Sequence, residues 1–405
     1  MNKVTIDVIS TTPLLAGWYN PNLVDPSGLR TTEIKGIWRW WARAIVGGVL
    51  YDEGILVGVK EKNIVKKPSR DEVNLISCYV GKILGLGYVG PQGSESSRFT
   101  VRTETLSSRP EEKVSQAARK YQRLNLLALS NYDIEYIPEN AKFRITIQVR
   151  SKNKDGESLA LKILILALQL SGVGKGARRG LGSLDVINIT ASGSRIPYGL
   201  RELVDEVYES ALDVVRRYGI ECSDKAVRSR STRTLPPLPV ISKSVIEGVN
   251  VSSTYVIRED KDLRSLFYDV HNFFVRSERC RKLYNETVCN DELRLKQQAW
   301  ILGLPRSQRG TGYEVKTVAR SEKMVRRASP FIISCHSKEN IFGKGVFVTI
   351  TMSGDWPSEL RWLGRGASKI ITIRETDIIS ATATAIKEFE EYIRKSGYTL
   401  AKVWP

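Results

Sequence analysis

The fold of this chain is decided by residues 141–189, AKFRITIQVRSKNKDGESLALKILILALQLSGVGKGARRGLGSLDVINI. In the first ten of these residues every second side chain is apolar, which predicts a strand. A polar turn then leads into an apolar helix around 157–170, and a glycine-rich loop at 172–182 precedes a second strand from about 183 to 189. Strand, helix and strand in this order form half of a split βαβ unit.

The residues before this stretch supply the complementary strand, helix and strand. Residues 3–10, KVTIDVIS, alternate like a strand, and residues 31–47, TTEIKGIWRWWARAIVG, repeat at helical period. A capping box formed by Ser69 and Glu72 starts a second helix, and residues 97–106 alternate like another strand. The whole order predicts a ferredoxin-like, or RRM-like, domain with a helical insertion.

The second half of the chain repeats this theme more loosely. A helix near 200–218 closes the first half, and residues 221–239 collect three arginines and three prolines, which favours a linker. Beyond it, the patterns predict a helical region at 260–302, a helix at 380–396, and strands near 249–257, 330–335, 345–352, 369–374 and 398–404. We therefore expect an α+β protein of two ferredoxin-like domains with helical insertions, at residues 1–220 and 240–405, joined by a linker at 221–239.

The charge of the chain points to a polyanionic partner. Lys and Arg number 62 against 44 Asp and Glu, so the formal net charge of the 405 residues is +18. A large net positive charge bears on what the protein binds rather than on how it folds. Nucleic acid is the commonest partner that it indicates. The alternative is a highly charged surface with no such partner. An apolar content of 41% is enough to form real cores, which excludes global disorder.

Histidine and cysteine usage limits the possible chemistry. Two histidines, His271 and His336, exclude a multi-histidine metal centre, and we expect no metal and no cofactor. Five cysteines without a CxxC pair indicate ordinary thiols of a reducing cytoplasm rather than a disulfide framework. The most apolar segment, 159–170, is too short to span a membrane, and Asp7 interrupts the first apolar stretch, so we expect a cytoplasmic protein with no membrane partner.

No catalytic constellation is visible in the sequence. His271 lies in a helical pattern between Val270 and Phe273, which is more typical of a partly buried packing residue than of a general base. His336 ends a strand with no carboxylate or serine pattern around it. We therefore predict no catalytic residues.

The glycine-rich loop at 172–182 is the most informative segment, with five glycines and three cations in eleven residues. Glycines allow close backbone approach to a ligand, and cations add attraction for phosphates. A nucleotide-binding P-loop does not fit, because Lys175 precedes Gly176 and the order is helix, loop, strand. The alternative to phosphate binding is a flexible surface loop. The candidate residues are the cations Lys175, Arg178 and Arg179 and the glycines Gly172, Gly174, Gly176, Gly180 and Gly182.

The helix at 31–47 carries the second candidate site. Trp38 and Trp41 share its apolar face, whereas Trp40 lies between that face and a basic flank formed by Lys35, Arg39 and Arg43. An exposed Trp40 would stack on a nucleobase while the guanidiniums hold phosphates. The equal alternative is that Trp40 packs on a neighbouring domain or subunit.

These segments resemble the RAMP superfamily of CRISPR proteins. The resemblance is carried by TPLLAG at 12–17, GLRTTEIKGIWRWWARA at 28–44, and RRGLGS at 178–183, with further similarity in GPQGSESSRF at 90–99 and ILGLP…RRASPFII at 301–333. The form of the tryptophan-rich helix looks most like the first-numbered, head-capping subunit of type III-B (Cmr) effector complexes. Together the motifs cover both halves of the chain.

The resemblance implies a non-catalytic RNA-binding subunit of an RNA-guided antiviral ribonucleoprotein. It implies two ferredoxin-like domains, a position near the 3′ end of the guide RNA, help in capturing target RNA, and cleavage by other Cmr subunits. Carried over residue by residue, it gives Lys35, Arg39, Trp40, Trp41, Arg43, Lys175, Arg178 and Arg179 as RNA contacts, and we predict Arg98 as a further one. One departure is that the second half has only Gly364-Arg365-Gly366 in place of a glycine-rich loop.

Two other functions remain open from the sequence. One is a metal-independent ribonuclease that processes guide RNA, with a Tyr, a Lys or His271 as its candidate residues. The other is a scaffold whose basic face binds acidic protein partners.

Overall fold

The computed structural model of the chain describes residues 3–17, 19–20, 22–90, 93–108, 110–117, 121, 123–124, 133–191, 199–222, 234–258, 262–307, 314–317, 326–364 and 368–405. Four antiparallel strands form an N-terminal sheet: Lys3–Ser10, Phe99–Ser107, Lys142–Val149 and Leu184–Ala191. Their spatial order is fourth, first, third, second. Ile6 lies opposite both Ile145 and Ile189, so the alternating apolar side chains form one buried face.

Helices cover this sheet on its apolar face. The helix Thr31–Asp52, which we call the tryptophan helix, buries Trp38 and Trp41. It packs against the helices Lys154–Leu170 and Leu200–Arg217. The predicted capping box is present, with Ser69 and Glu72 bonded reciprocally, and it starts the helix Arg70–Cys78, which continues as a π-helical turn over Tyr79–Ile83.

A second four-stranded antiparallel sheet lies in the C-terminal half. Its strands are Ser252–Arg258, Phe331–His336, Gly345–Thr351 and Thr399–Trp404, and the strand Ser252–Arg258 lies between the last two. The α+β class is thus confirmed. The helical region predicted at 260–302 is present, divided into the helices Leu263–Asn272, Arg276–Tyr284 and Asp291–Lys296 and a 3-10 turn, Ala299–Leu302. The last helix is Glu375–Lys395.

A third sheet was not predicted. Its strands are short: Arg306–Ser307, Glu314–Thr317, Glu359–Leu363 and Ser368–Thr372. The strand predicted near 369–374 belongs to this sheet rather than to the main one. The remaining elements are small: the helices Val114–Ala117 and Gly219–Cys222, and the pairs Val59–Glu61 with Ile64–Lys67, Tyr88–Gly90 with Gly93–Glu95, Glu112–Lys113 with Glu135–Tyr136, and Val245–Ile246 with Val249–Asn250.

The two halves pack tightly on each other. Of the predicted linker, residues 223–233, with its three arginines, lie outside the described residues. The chain that follows is buried, including Leu235, Val240 and Ile241. A Cβ atom on Gly48 would stand 1.7 Å from the backbone oxygen of Ile241, so only glycine allows the tryptophan helix to approach this segment.

Four of the five cysteines are paired. The structure joins Cys78 to Cys222 and Cys280 to Cys289 as disulfides, and leaves Cys335 free and buried. The prediction of five ordinary thiols is therefore wrong. The first pair lies 144 positions apart in sequence, and such a contact depends on the fold rather than on a local motif. In the described part of the chain, no helix is long and apolar enough to cross a membrane.

Candidate nucleic-acid interface

A large cleft opens where the glycine-rich loop of the first half meets the second half. Its volume is about 1150 Å³. Its walls come from the loop, the helix Arg276–Tyr284, the 3-10 turn and the third sheet. Asp377 is the one acidic side chain among its described lining residues, and three aromatic rings, Phe274, Trp300 and Trp362, also line it. The basic lining residues are Arg123, Arg178, Arg179, Arg276, Arg294, Arg306, Arg327 and Lys369.

The glycine-rich loop is folded against the body of the protein at both ends. The amide of Lys175 donates to the backbone oxygen of Leu15 at 3.0 Å, and the amide of Ile333 donates to that of Arg178 at 3.1 Å. Gly174 and Gly176 have positive φ, at 76° and 83°, and both line the cleft. The loop therefore presents its central residues to the cavity from a fixed backbone.

The other three glycines have a different role from the one that we predicted. Gly172, Gly180 and Gly182 are buried within the protein. A Cβ atom on Gly180 would lie 2.6 Å from the ring of Phe267, and one on Gly172 would lie 2.0 Å from the backbone oxygen of Leu181. These glycines permit close approach of the protein to itself and not to a ligand.

Arg178 and Arg179 bring the loop's charge into the cleft. The guanidinium of Arg178 lies 4.8 Å from the ring centre of Trp40, and its Nη2 donates to the backbone oxygen of Ser329 at 2.9 Å. That of Arg179 lies 3.9 Å from the ring centre of Phe274 and donates to the backbone oxygen of Leu302 at 3.0 Å. Neither residue has a carboxylate within ion-pair distance in the described chain. Lys175 is exposed at the loop surface.

The cleft arginines destabilise one another's charges. Burial, and then the charge of Arg327, lowers the pKa of Arg178 to about 10. Burial, followed by three neighbouring guanidiniums, lowers the pKa of Arg306 to about 9. The pKa of Arg179 is lowered well below its ordinary value by burial, with Arg123 as the next cause. This crowding of like charges makes the cleft strongly attractive to anions.

Of the second candidate site only Trp40 lies near this cleft, and the basic flank of Lys35, Arg39 and Arg43 does not line it. Trp40 is half-buried beneath Arg178, so its partner is a side chain of its own protein. Arg39 donates twice to the backbone oxygen of Leu86, at 3.0 and 2.8 Å, which fixes its guanidinium. Lys35 is half-buried, and Arg43 is exposed away from the cleft lining.

Two predicted RNA contacts are corrected by their burial. Trp41 is 1% exposed and donates through Nε1 to the hydroxyl of Ser171 at 3.0 Å. Arg98 is 8% exposed, lies 3.4 Å from a carboxylate oxygen of Glu157, and donates to the backbone oxygen of Ile83 at 2.6 Å. Both side chains hold the interior together, so neither is available to a ligand.

The histidines are buried in different surroundings. Nε2 of His271 donates to the backbone oxygen of Arg179 at 2.6 Å, and burial lowers the pKa of its imidazole to about 3. His271 is therefore neutral near pH 7 and positions the glycine-rich loop. No carboxylate pattern surrounds His336 in the sequence, but the fold places Asp185 3.0 Å from its Nδ1, while Nε2 donates to a backbone oxygen.

Sequence reasoning missed the wall that the second half contributes. Arg306 donates to the backbone oxygen of Phe274 at 2.8 Å, and Arg294 lies 4.7 Å from the ring centre of Trp362. Arg306 lies within the 301–333 stretch, so the resemblance there was the signal that could have found it. In the second half, residues 364–366 stand in place of a glycine-rich loop, and residues 365 and 366 lie outside the described residues.

Part of the chain matches a known protein family in sequence. The model of the RAMP superfamily matches residues 12–185, which is less than half of the chain. The predicted resemblance is thereby confirmed. No curated protein matches the chain in sequence. Among the described residues, no group of histidines, cysteines and carboxylates could hold a metal ion.

Solved structures refine the comparison of fold. Cmr1 from Pyrococcus furiosus, solved in its apo form, is similar over 100% of this chain and 99% of its own, with a TM-score of 0.51 and 18% identity. A chain of the type III-B Cmr-beta complex bound to cognate target RNA is similar over 96% and 99%, with a TM-score of 0.54 and 12% identity. A further Cmr-beta structure, with target RNA and AMPPnP, gives a TM-score of 0.53 at 12% identity, over 97% of this chain and 99% of that one. At these identities the likeness shows a shared fold.

Proposed function

We propose that this protein is a non-catalytic RNA-binding subunit of a type III-B CRISPR complex that targets RNA with an RNA guide. It lies at the head of the complex, binds near the 3′ end of the guide RNA and helps to capture target RNA in antiviral defence. Its partners are guide RNA, target RNA and other Cmr subunits, and it acts in the cytoplasm.

The observation that carries this proposal is the charge of the cleft. Among the described residues, eight basic side chains and one acidic side chain line it, beside three aromatic rings. Guanidiniums bind phosphates through paired hydrogen bonds, and aromatic rings stack on bases without regard to sequence. This combination suits a protein that holds RNA while base pairing with the guide reads the sequence.

The fold supports the same proposal. We infer two ferredoxin-like domains, at 1–220 and 240–405, because each half has a four-stranded antiparallel sheet whose first strand lies between two later ones, as in a split βαβ unit. The complexes to which similar chains belong are named for bound target RNA. Membership of such a complex is carried over from these folds and from the superfamily match.

Against the ribonuclease alternative stands the state of His271. A general base works best with a pKa near the working pH, whereas burial holds this pKa at about 3. We therefore expect labelled RNA to stay intact during incubation with the pure protein in EDTA. Specific cleavage that is lost in His271→Ala would contradict the non-catalytic role.

RNA binding is tested by fluorescence anisotropy with a labelled single-stranded RNA over a series of salt concentrations. If roughly six cations meet phosphates, log Kd against log salt should change with a slope of about 4 in magnitude. In the double variant Arg178→Gln with Arg179→Gln, the slope should fall by about 1.4 and the affinity should fall with it. The matched control removes two exposed charges outside the cleft, Arg201→Gln with Lys387→Gln, and should bind like the wild type.

A wild-type slope near zero would contradict RNA binding. Membership of the complex needs a separate test, in which the protein is purified natively and its bound RNA is sequenced. Guide RNA enriched at its 3′ end supports the proposal, whereas co-purification of acidic proteins that persists after nuclease treatment would favour the scaffold alternative.

A further inference from the structure

We infer that Arg123, Arg178, Arg179 and Arg306 form a phosphate subsite for unpaired RNA, and that this subsite destabilises the protein while it is empty. The inference rests on the proposed RNA-binding function and assigns it to particular side chains. We call these four residues the arginine cluster.

The arginine cluster contacts neutral backbone groups of the protein. Three of its guanidiniums donate to backbone oxygens, those of Ser329, Leu302 and Phe274. Neutral carbonyls satisfy individual N–H groups but leave the positive charge without a counter-charge. No carboxylate lies within ion-pair distance of any of the four in the part of the chain that the structure describes. Burial of these guanidiniums is therefore a cost to the free protein.

Several guanidinium N–H donors of the cluster have no hydrogen-bond acceptor among the described residues. Nε of Arg123, Nε of Arg178 and Nη1 of Arg179 are buried without a hydrogen-bond partner among the described residues. Native interiors seldom leave such groups unpaired, and their accumulation in one cleft indicates that an acceptor arrives from outside. Phosphate oxygens supply both the acceptors and the missing negative charge.

The shape of the cleft bears on whether the bound RNA is single-stranded or duplex. A cavity of about 1150 Å³ with arginines in its depth admits a strand that can bend and turn its phosphates inward. A rigid A-form duplex carries its phosphates on its outer surface, and its bases are stacked on each other. The half-buried ring of Phe274 in the wall offers stacking to bases that are free. The geometry thus favours unpaired RNA over duplex.

Arg123 gives the sharpest test, because its buried Nε has no hydrogen-bond partner among the described residues, while its charge acts on both Arg179 and Arg306. We expect Arg123→Met to melt at a higher temperature than the wild type in the absence of RNA, and to bind single-stranded RNA roughly fivefold more weakly. Arg201→Met, an exposed charge outside the cleft, is the matched control and should change neither quantity.

The wild-type protein provides a test that needs no variant. Tripolyphosphate should raise its melting temperature more than sodium chloride at the same ionic strength, and the difference should shrink in Arg123→Met. In competition, unlabelled single strand should displace the labelled RNA at a much lower concentration than a duplex of the same length.

The outcomes separate this inference from the proposed function. If the wild type binds RNA and Arg123→Met binds equally well, the subsite is wrong and the RNA-binding function stands. A lower melting temperature for Arg123→Met, or equal competition by duplex, would also overturn the inference. If the wild type shows no affinity for RNA, the proposed function itself fails, whatever tripolyphosphate does.

Discussion

Two groups of arginines in this molecule, one buried and one half-buried, have opposite surroundings. Arg98 and Arg279 each lie beside a carboxylate, at 3.4 Å from Glu157 and 3.5 Å from Glu388. Arg179 and Arg306 in the cleft donate to backbone oxygens and have no carboxylate within ion-pair distance in the described chain. Burial lowers the pKa of all four. For the first pair the next cause is an opposite charge that raises the pKa, whereas for the second it is a like charge that lowers it further.

The difference teaches that a lowered pKa alone does not separate a structural arginine from a functional one. A guanidinium with a carboxylate partner completes the interior, and its loss leaves an unpaired buried anion. A guanidinium without one has a charge that only a ligand can compensate. The identity of the nearest opposite charge, rather than the direction of the pKa shift, is therefore the sign to look for.

The largest effect is expected from removing an arginine that lies beside a buried carboxylate. Arg98→Met leaves the carboxylate of Glu157 buried without its counter-charge and should lower the free energy of unfolding by about 3–5 kcal/mol. Denaturant unfolding measures the loss, and Arg102→Met, an exposed position on the strand Phe99–Ser107, is the control. RNA affinity of the folded protein should not change. A stable Arg98→Met with weakened RNA binding would restore Arg98 as an RNA contact.

The contribution of His271 to stability depends on pH and is affected by the cleft arginines. Its folded pKa of about 3 lies below the value of about 6.5 expected in the unfolded chain, so its contribution to stability is present above that value and is lost as the pH falls. At pH 5 the loss is about 2 kcal/mol. His271→Gln does not titrate, and its stability should decline less between pH 7 and pH 5, as followed by denaturant unfolding.

The same residue should sense bound RNA. Phosphates that neutralise Arg179 and Arg123 would remove like charges that now lower the pKa of His271. With two histidines in the chain, an NMR titration of the ring Cε1–H signals is readily assigned. An upward shift of this pKa on RNA binding is expected, and an unchanged value would place the RNA elsewhere.

A carboxylate introduced into the cleft should give the cleft arginines the counter-charge that Arg98 and Arg279 already have. Ser277 is exposed, lines the cleft and lies in the first turn of the helix Arg276–Tyr284. Ser277→Glu should stabilise the free protein by about 0.3–1 kcal/mol through the helix N-terminus and nearby arginines, and should weaken RNA binding. Ser277→Gln, with a similar shape and no charge, is the matched control. Equal RNA affinity of both variants would show that cleft charge is not what holds RNA.

The smallest effect is expected from a surface pair that belongs to neither group. Arg144 donates to Asp7 at 2.7 Å, and this hydrogen bond lowers the pKa of the Asp7 carboxyl. A lowered acid pKa gives stability that is present above the carboxyl's ordinary pKa and is lost as the pH falls. Arg144→Gln should therefore unfold slightly more easily near neutral pH and match the wild type in strong acid, as measured by denaturant unfolding. A large loss at neutral pH would show that compensation matters equally at the surface.

The main sheets were predictable because their signal is local. Alternating side chains predicted a strand at 141–150, and the structure has Lys142–Val149. The capping box at Ser69 likewise starts a helix where expected. In the third sheet only the strand Ser368–Thr372 was predicted, and the other three, of two to five residues, were missed.

The site was predictable only in part, because it is assembled from distant segments. The glycine-rich loop indicated Arg178 and Arg179, but Arg306 joins them only through the fold. Arg98 was misassigned since its carboxylate partner, Glu157, comes from a helix far along the chain. In both cases the sequence shows a cation, and the partner that decides its role is not near it in the chain.

The contact between the two halves has a consequence for how the chain can be divided. The amide of Ile333, on an outer strand of the second sheet, donates to the glycine-rich loop of the first half. Val186, on an outer strand of the first sheet, accepts from the amide of Ile341. Each half thereby covers a strand edge that would otherwise be open to pairing with other molecules. A chain cut near residue 220 would expose such an edge and should aggregate, so the two halves act as each other's protective cover.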